Sequence, residues 1–403
     1  MRVYSTYINF FEEELMLRKY IPTLSISALI LLAACATKPE SDVDTPEYHY
    51  KAGMRAIENS DYQQAIKSFQ RSVDLDSKFA LGYGGLGLAN ARLNNNKEAK
   101  KFASTCASKG GKDPEALALS GRVWINMRAS EKRWFKRAEG HLEKALKRDK
   151  EHEGSQYWFG VAHLYNYQFD IAEDYFRQVV NKRGEYSGMA DGKWKLSQKI
   201  VRAMPGTPAG KKVALKERIN RADLAVLFAE ELKIGVLFDR MPTQSAGFQS
   251  PTQAAQNATV TVPNDSRNHW AETWIKDMIR YGIMNVEPDG NFYPDDNMNR
   301  ATYAMAVQRL LVVATRDESL ETKYFGEAQS RFSDVPSSHF AYNAMAVCTE
   351  RGIMQVDMMN NRFNPTGDVT GADALLIIRN LQNSLRITSV SYTHLTLPTI
   401  YSV

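Results

Sequence analysis

His339-Phe340-Ala341 followed by Gly352-Ile353-Met354 repeats an earlier pair, His269-Trp270-Ala271 followed by Gly282-Ile283-Met284, at a constant offset of 70 residues (339 − 269 and 352 − 282). Further on, Phe363-Asn364-Pro365 answers Phe292-Tyr293-Pro294 at an offset of 71 (363 − 292). Gly371-Ala372-Asp373 then answers Arg300-Ala301-Thr302, and each opens an apolar helical run. Glycine and proline stand where a helix must stop and a loop must turn. Each unit therefore reads as a helix, a glycine-ended turn, an extended Phe-x-Pro segment and a second helix.

Ahead of the later copy stands Phe332-Ser333-Asp334-Val335-Pro336, and far upstream stands Ile219-Asn220-Arg221-Ala222-Asp223. With these phrases the repeat resembles the S-layer homology domain, the first as its usual opening and the second as the start of its second helix. Trp194 and Met204 keep the ten-residue separation of Trp274 and Met284 (204 − 194 and 284 − 274). Residues 189–238 are therefore expected to be a degenerate first unit, 264–315 the second and 331–386 the third. A flexible excursion at 239–263, rich in Gln, Ser, Thr, Ala and Pro, and a linker at 316–330 separate them.

The resemblance implies a three-unit helical prism that binds an anionic cell-wall or surface polysaccharide in grooves between units. It assigns polymer contacts to Arg221, Asp223, Arg300 and Trp270. An arginine at a helix start suits an anion, because its guanidinium fork and the free N–H groups of the first turn both face it. The third unit has Gly371 at that place, and the second has Thr302 where an acidic residue is usual. At most two grooves are then expected to work. Gly371→Arg is expected to gain affinity, and loss of both arginines to leave the melting temperature largely unchanged.

A different repeat fills the first half of the chain. Gly53, Gly87, Gly121 and Gly160 are spaced by 34, 34 and 39 residues (87 − 53, 121 − 87, 160 − 121), and Ala65, Ala99, Ala138 and Ala172 by 34, 39 and 34 (99 − 65, 138 − 99, 172 − 138). Both series carry the same five-residue insertion, between Gly121 and Ala138. Tyr62, Ala65, Ile66, Phe69 and Val73 form the stripe of an amphipathic helix. The pattern resembles the tetratricopeptide repeat, in four units over 46–188, and implies a solenoid of helical hairpins. The closing proline is missing from the first two units, where Ser77 and Gly111 stand. Trp124, Trp134, Tyr157, Trp158, Phe159, Tyr165 and Tyr167 suit either packing or a concave groove that holds an extended peptide of a protein partner.

At the N-terminus, Arg18-Lys19, an apolar run and Leu32-Ala33-Ala34-Cys35 have the proportions of a signal peptide over 1–34. The last four residues resemble a bacterial lipobox, which implies acylation of Cys35 and, with a polar tether over 35–45, anchorage in a lipid membrane. Ala36 after that cysteine fits delivery to an outer membrane. Residues 1–15, ahead of Met16, read as a start-site extension. The tail 387–403, with Val390-Ser391-Tyr392-Thr393-His394-Leu395, resembles translated adapter DNA and is set aside.

The 43% apolar and 24% charged residues are ordinary globular composition, and a net charge of +5 over 403 residues makes no case for nucleic acid. After Cys35, only Cys106 and Cys348 remain, in different expected domains, so a disulfide framework is excluded. Gly82-Tyr83-Gly84-Gly85-Leu86-Gly87 matches a dinucleotide fingerprint in letters but lacks a preceding strand. His152-Glu153 begins a zinc-protease pattern that Gln156 breaks. The acidic turn Asp289, Asn291, Asp295 and Asp296 lacks the calcium-loop glycine and glutamate. With no cofactor, metal or catalytic constellation expected, a non-enzymatic envelope tether leads. A protein-assembly scaffold follows, and a wall hydrolase has little support.

Overall fold

The computed structural model describes residue 39 and residues 41–239 and 261–385. Cys35, the expected signal peptide, residues 240–260 of the expected excursion and the tail from 387 lie outside the described residues. Among the described residues the chain is mainly helical, with sixteen α-helices, two 3-10 helices and only isolated β-bridges. No helix there is long and apolar enough to cross a membrane.

The first eight helices are α1 Pro46–Glu58, α2 Tyr62–Leu75, α3 Ala80–Arg92, α4 Asn96–Lys109, α5 Pro114–Asn126, α6 Trp134–Arg148, α7 Glu153–Tyr165 and α8 Phe169–Lys182. From α1 to α7 each helix packs on the next, and α1 packs on α3, α3 on α5 and α5 on α7. This is the connectivity of stacked hairpins. The repeated small residues explain the close approach. Ala65, Ala99, Ala138 and Ala172 are wholly buried. A Cβ on Gly53 would lie 2.5 Å from the Phe69 ring, and one on Gly121 would lie 2.7 Å from Leu142. The five-residue insertion falls in the connection between α5 and α6. Gly82 to Gly87 lie inside α3, where they make room for Phe69 and Leu119 rather than for a phosphate. His152 is the N-cap of α7, its Nδ1 accepting from the Ser155 N–H.

The chain divides into two compact units. One runs to Asn166 and includes Gln178–Ser187; the other comprises Tyr167–Arg177 and the chain from Gly188. The last dividing point, between Ser187 and Gly188, lies one residue from the 188/189 boundary expected from the repeat spacing, while the Tyr167–Arg177 stretch, which includes the start of α8, is grouped with the second unit. The expected tether also ends earlier than 45. Asp44, inside the expected tether, is buried and pairs with Arg71 and His49, and so holds the start of α1 against α2.

The second unit contains α9 Ser187–Ala203, α10 Pro208–Val213, α11 Arg221–Glu230, α12 Ile234–Asp239, α13 Glu272–Arg280, α14 Arg300–Thr315, α15 Tyr342–Glu350 and α16 Gly371–Ser384. Helices α13 and α15 end on Gly282 and Gly352 at φ of +67° and +65°, the left-handed stop that glycine takes without strain. The Phe-x-Pro segments are not extended throughout. Their central residues, Tyr293 and Asn364, are left-handed at φ of +55° and +58°. The kink lets the Asp265 carboxylate accept from the Phe292 and Tyr293 N–H groups, and Asp334 from Phe363 and Asn364. Phe292 and Phe363 are wholly buried as a result.

Three residues just before helix N-caps tie the unit together. Ile219 donates to Val369 O at 3.0 Å, Met298 to Ile219 O at 2.9 Å, and Val369 to Met298 O at 3.3 Å. The bonds close a ring among three segments remote in sequence, and all three side chains are buried. Met204 departs from its expected register. It takes φ of +47° at the end of α9, the place of Gly282 rather than of Met284, because the chain must turn there without a glycine.

Candidate functional site

Helices α11 and α14 begin with the same device. Asn220 and Asn299 accept through Oδ1 from the N–H three residues on, and Asp223 and Thr302 accept in return from the cap N–H. This capping box fixes where the following arginine emerges. Arg221 donates through Nε to Phe292 O at 2.7 Å and through Nη2 to Asn285 O at 2.9 Å, and lies 4.7 Å from the Phe292 ring centre. Arg300 repeats this with Phe363 O at 2.7 Å, Gln355 O at 2.6 Å and the Phe363 ring at 4.6 Å. Burial draws both guanidinium pKa values down, opposed by Glu287, Asp296 and Asp265 around Arg221 and by Asp373 and Asp334 around Arg300. An arginine keeps its charge through such a shift.

Two expectations about these arginines change. Their first-turn N–H groups are not free for an anion. Arg221 N donates to Asp296 O, Ala222 N to Pro294 O, Arg300 N to Gly367 O and Ala301 N to Pro365 O, all at 2.9–3.0 Å. Nor are the side chains mere groove decoration, since each clamps a turn some 55–71 residues further along the chain through two carbonyls. Replacing both with alanine must therefore lower the melting temperature. Asp223 is also reassigned. It is buried and pairs with Lys216 Nζ at 2.6 Å, so its oxygens are spent on the cap and the lysine. Asp373 has a similar partner in Lys199, at 2.6 Å.

Beside Arg221 a groove of about 630 Å3 opens between the 283–287 turn and α14. Its polar lining includes Arg221, Asn285, Glu287, Thr302 and Arg309, and its far side includes the ring of Phe340. Glu287 Oε1 lies 3.5 Å from Arg221 Nη1, and Arg309 donates to Gly282 O at 2.8 Å and pairs with Glu321 at 2.5 Å. Two guanidiniums thus face one groove, each partly balanced by a carboxylate. Arg309 was invisible in the repeat comparison, because it sits mid-helix rather than at the matched helix start.

Trp270 is not in that groove. It is 56% exposed, 6.2 Å from Trp274 by ring centres, with Lys216 Nζ 6.0 Å from its ring. Phe340, at the matched place in the later copy, is the aromatic residue that lines the Arg221 groove, at 71% exposure. The Gly371 expectation fails on steric grounds. A Cβ there would stand 1.6 Å from Val213 O, and Gly371 N donates to Lys216 O. That close approach of two backbones requires glycine, so Gly371→Arg cannot restore a site. Cys106 and Cys348 are buried and free, one in each unit, with the Cys106 thiol pushed up to about 12 by burial.

The chain matches the S-layer homology domain family over residues 264–304 and 331–375. Among curated proteins it is similar to a cellulosome-anchoring protein of Acetivibrio thermocellus, 22% identical over 163 residues, covering 40% of this chain and 32% of that protein. It is also similar to an uncharacterized cell wall amidase of Bacillus anthracis, 25% identical over 179 residues, covering 44% of this chain and 28% of that protein. The chain spans less than a third of either relative in these matches.

Proposed function

We propose that this protein is a non-catalytic envelope anchor. On this reading the second unit grips an anionic cell-wall or surface polysaccharide, with 189–238 serving as a first S-layer homology unit. The N-terminal hairpins, read as tetratricopeptide repeats, hold a protein partner, and acylated Cys35 ties the chain to a membrane, the outer one in a two-membrane envelope. The observation that carries it is the Arg221 groove, which presents two guanidiniums and an exposed aromatic ring within a chain that matches the S-layer homology family. Guanidiniums pair carboxylate or ketal-borne acid groups, and an exposed ring packs on a sugar face. The name of the Acetivibrio thermocellus relative supports anchoring. The amidase name of the other favours no chemistry at this groove, whose lining combines cations, carboxylates and apolar side chains.

Because the arginines also hold the fold together, the test leaves them in place. Ala306 lines the groove and is partly exposed. Ala306→Glu sets a carboxylate among the cations and is expected to abolish co-sedimentation with isolated sacculi while the melting temperature stays within a few degrees of wild type. Undiminished sedimentation of this variant removes the groove from the mechanism. An assembly scaffold, in which the hairpins carry the function, then becomes the better reading.

A further inference from the structure

Helix α6 and the residues on either side of it concentrate the charge of the chain. Residues 132–150 hold eight lysines and arginines against three acids, a balance of +5 (8 − 3). That equals the net charge of all 403 residues, so the remainder of the chain is neutral overall. At 3.6 residues per turn, Lys136, Arg137, Lys144, Lys147 and Arg148 fall within an arc of about 120°, which neither Glu139 nor Glu143 enters. All five cations are exposed, while Ala138, Leu142 and Ala145 on the opposite side are wholly buried.

The preceding hairpin repeats the pattern. Helices α1, α3, α5 and α7 pack on one another, which leaves α2, α4 and α6 as the other layer of the hairpins. Ala99 and Ala138 set a register of 39 residues between α4 and α6 (138 − 99). In that register Lys97 answers Lys136 and Lys109 answers Arg148, and both lysines are exposed. Lys100 on α4 pairs with Glu131 just ahead of α6. Lys101 answers Gly140, which stands in the middle of the α6 arc. A glycine inside a helix weakens it, and nothing lies within 4 Å of a Cβ placed at Gly140, so packing does not require one there. In the fourth hairpin Asp170 and Asp174 take the places of Lys136 and Gly140, at an offset of 34 (170 − 136 and 174 − 140). The positive face is thus confined to two hairpins and is no general feature of the repeat.

Two observations select its occupant. With its apolar side buried in the hairpins, α6 has nothing to insert into a bilayer and attracts through charge alone, over a range of about 10 Å at moderate salt. Asp44 is clasped by Arg71 on α2, in the same layer. From Cys35 to Asp44 is nine residues (44 − 35), which reach at most about 30 Å. So short a link holds this layer near the headgroups of the bilayer that takes Cys35, at a high effective concentration. A soluble anionic polymer gains no such advantage.

We propose that the outward face of α4 and α6 docks on an anionic phospholipid bilayer, the same one that holds Cys35. The proposal rests on the reading of Cys35 as an acylated anchor, and it adds a salt-sensitive contact that lays the hairpins against the headgroups.

The test uses the chain from residue 35 with Cys35→Ser, so that no acyl group contributes. Its co-sedimentation is measured with phosphatidylcholine vesicles that contain or lack phosphatidylglycerol. Binding only to the anionic vesicles, and its loss at raised salt, are expected. Gly140→Glu should weaken that binding about fivefold and Gly140→Lys should strengthen it about fivefold, the usual effect of one charge near an anionic leaflet. Both substitutions fill open space with a better helix former, so the melting temperature should hold or rise in each. Equal binding to the two kinds of vesicle, or Gly140 variants that fail to respond in opposite directions, overturns the proposal. Loss of binding to isolated sacculi by Gly140→Glu, with vesicle binding unchanged, would give the face to the wall polymer and overturns it as well. None of these results bears on the anchor, which is read separately from detergent partitioning of the unaltered full chain.

Discussion

Arg221 and Arg300 each spend two donors on carbonyls of a turn distant in sequence, so their value to the fold and to a ligand cannot be separated by deletion. Charged hydrogen bonds contribute about 1.5–3 kcal/mol each. Arg221→Ala is therefore expected to lower thermal stability clearly, by a differential scan of the purified protein, and its binding loss will carry that defect. Glu287 offers a cleaner probe. Its carboxylate competes for Arg221 Nη1 at 3.5 Å without holding any backbone. Glu287→Gln should strengthen binding to an anionic wall polymer a few-fold at low salt, with the gain shrinking as salt rises. Weaker binding by this variant would mean that Glu287 itself contacts the sugar. Gly371→Ala should destabilise strongly, because even one methyl group meets the Val213 carbonyl.

Among the elements, the hairpins are set by small residues facing large ones. Gly121→Ala places a methyl group 2.7 Å from Leu142, and Gly53→Ala meets Phe69 at 2.5 Å. Overpacking of this kind costs typically about 1–3 kcal/mol, and chemical denaturation of either variant should show it. Helix α6 adds a pH response. Burial, together with Lys144 and Arg137, lowers the His141 pKa from 6.5 to about 4, so its neutral form is the one the fold accepts. The folded value lies below the unfolded one. Stability is thus complete above pH 6.5 and falls as pH drops from there toward 4, by up to about 3 kcal/mol for a shift of this size. His152 acts with the opposite sign. Its hydrogen bond to Glu115 raises its pKa, so its contribution is full below pH 6.5 and is lost as pH rises through the folded value. His141→Gln should flatten the acid limb of a melting-temperature profile, and an unchanged limb would exclude His141 as its source.

Across the whole molecule, two units are held together in different ways. The first accumulates neighbour-to-neighbour helix contacts, whereas the second closes on itself through the ring of Ile219, Met298 and Val369. A closed ring makes its three segments interdependent. Deleting residues 187–239 should therefore leave 261–385 unable to fold cooperatively, even though the family match begins at 264. A sharp, cooperative unfolding transition for the truncated piece would refute that dependence. Residues 44–206 alone should be strongly helical by circular dichroism, and substantial β-structure would overturn the hairpin assignment. Wall binding by the full chain should weaken with added salt, because part of the attraction is between exposed charges.

The mainly helical fold was legible in local patterns. Gly53 and Ala65 mark close helix approach, Gly282 and Gly352 mark helix stops, and Asn220 and Asn299 mark helix starts. Each depends on sterics or capping within a few residues of the chain, so spacing alone reveals it. The site was only half legible. Arg221 was visible as a repeated helix-start residue, but its carbonyl partners lie 71 and 64 residues away (292 − 221 and 285 − 221), and its groove companions Arg309 and Phe340 lie further still. Asp223 and Trp270 were drawn to the polymer because identity in a motif does not show which oxygens a cap consumes or which groove a ring faces. Gly371 looked like a missing arginine. Only the tertiary structure showed that the Val213 carbonyl already occupies the space a side chain would need. Sequence determines what each residue can do with its near neighbours, while the long-range approach of backbones decides which of those capacities remain unspent.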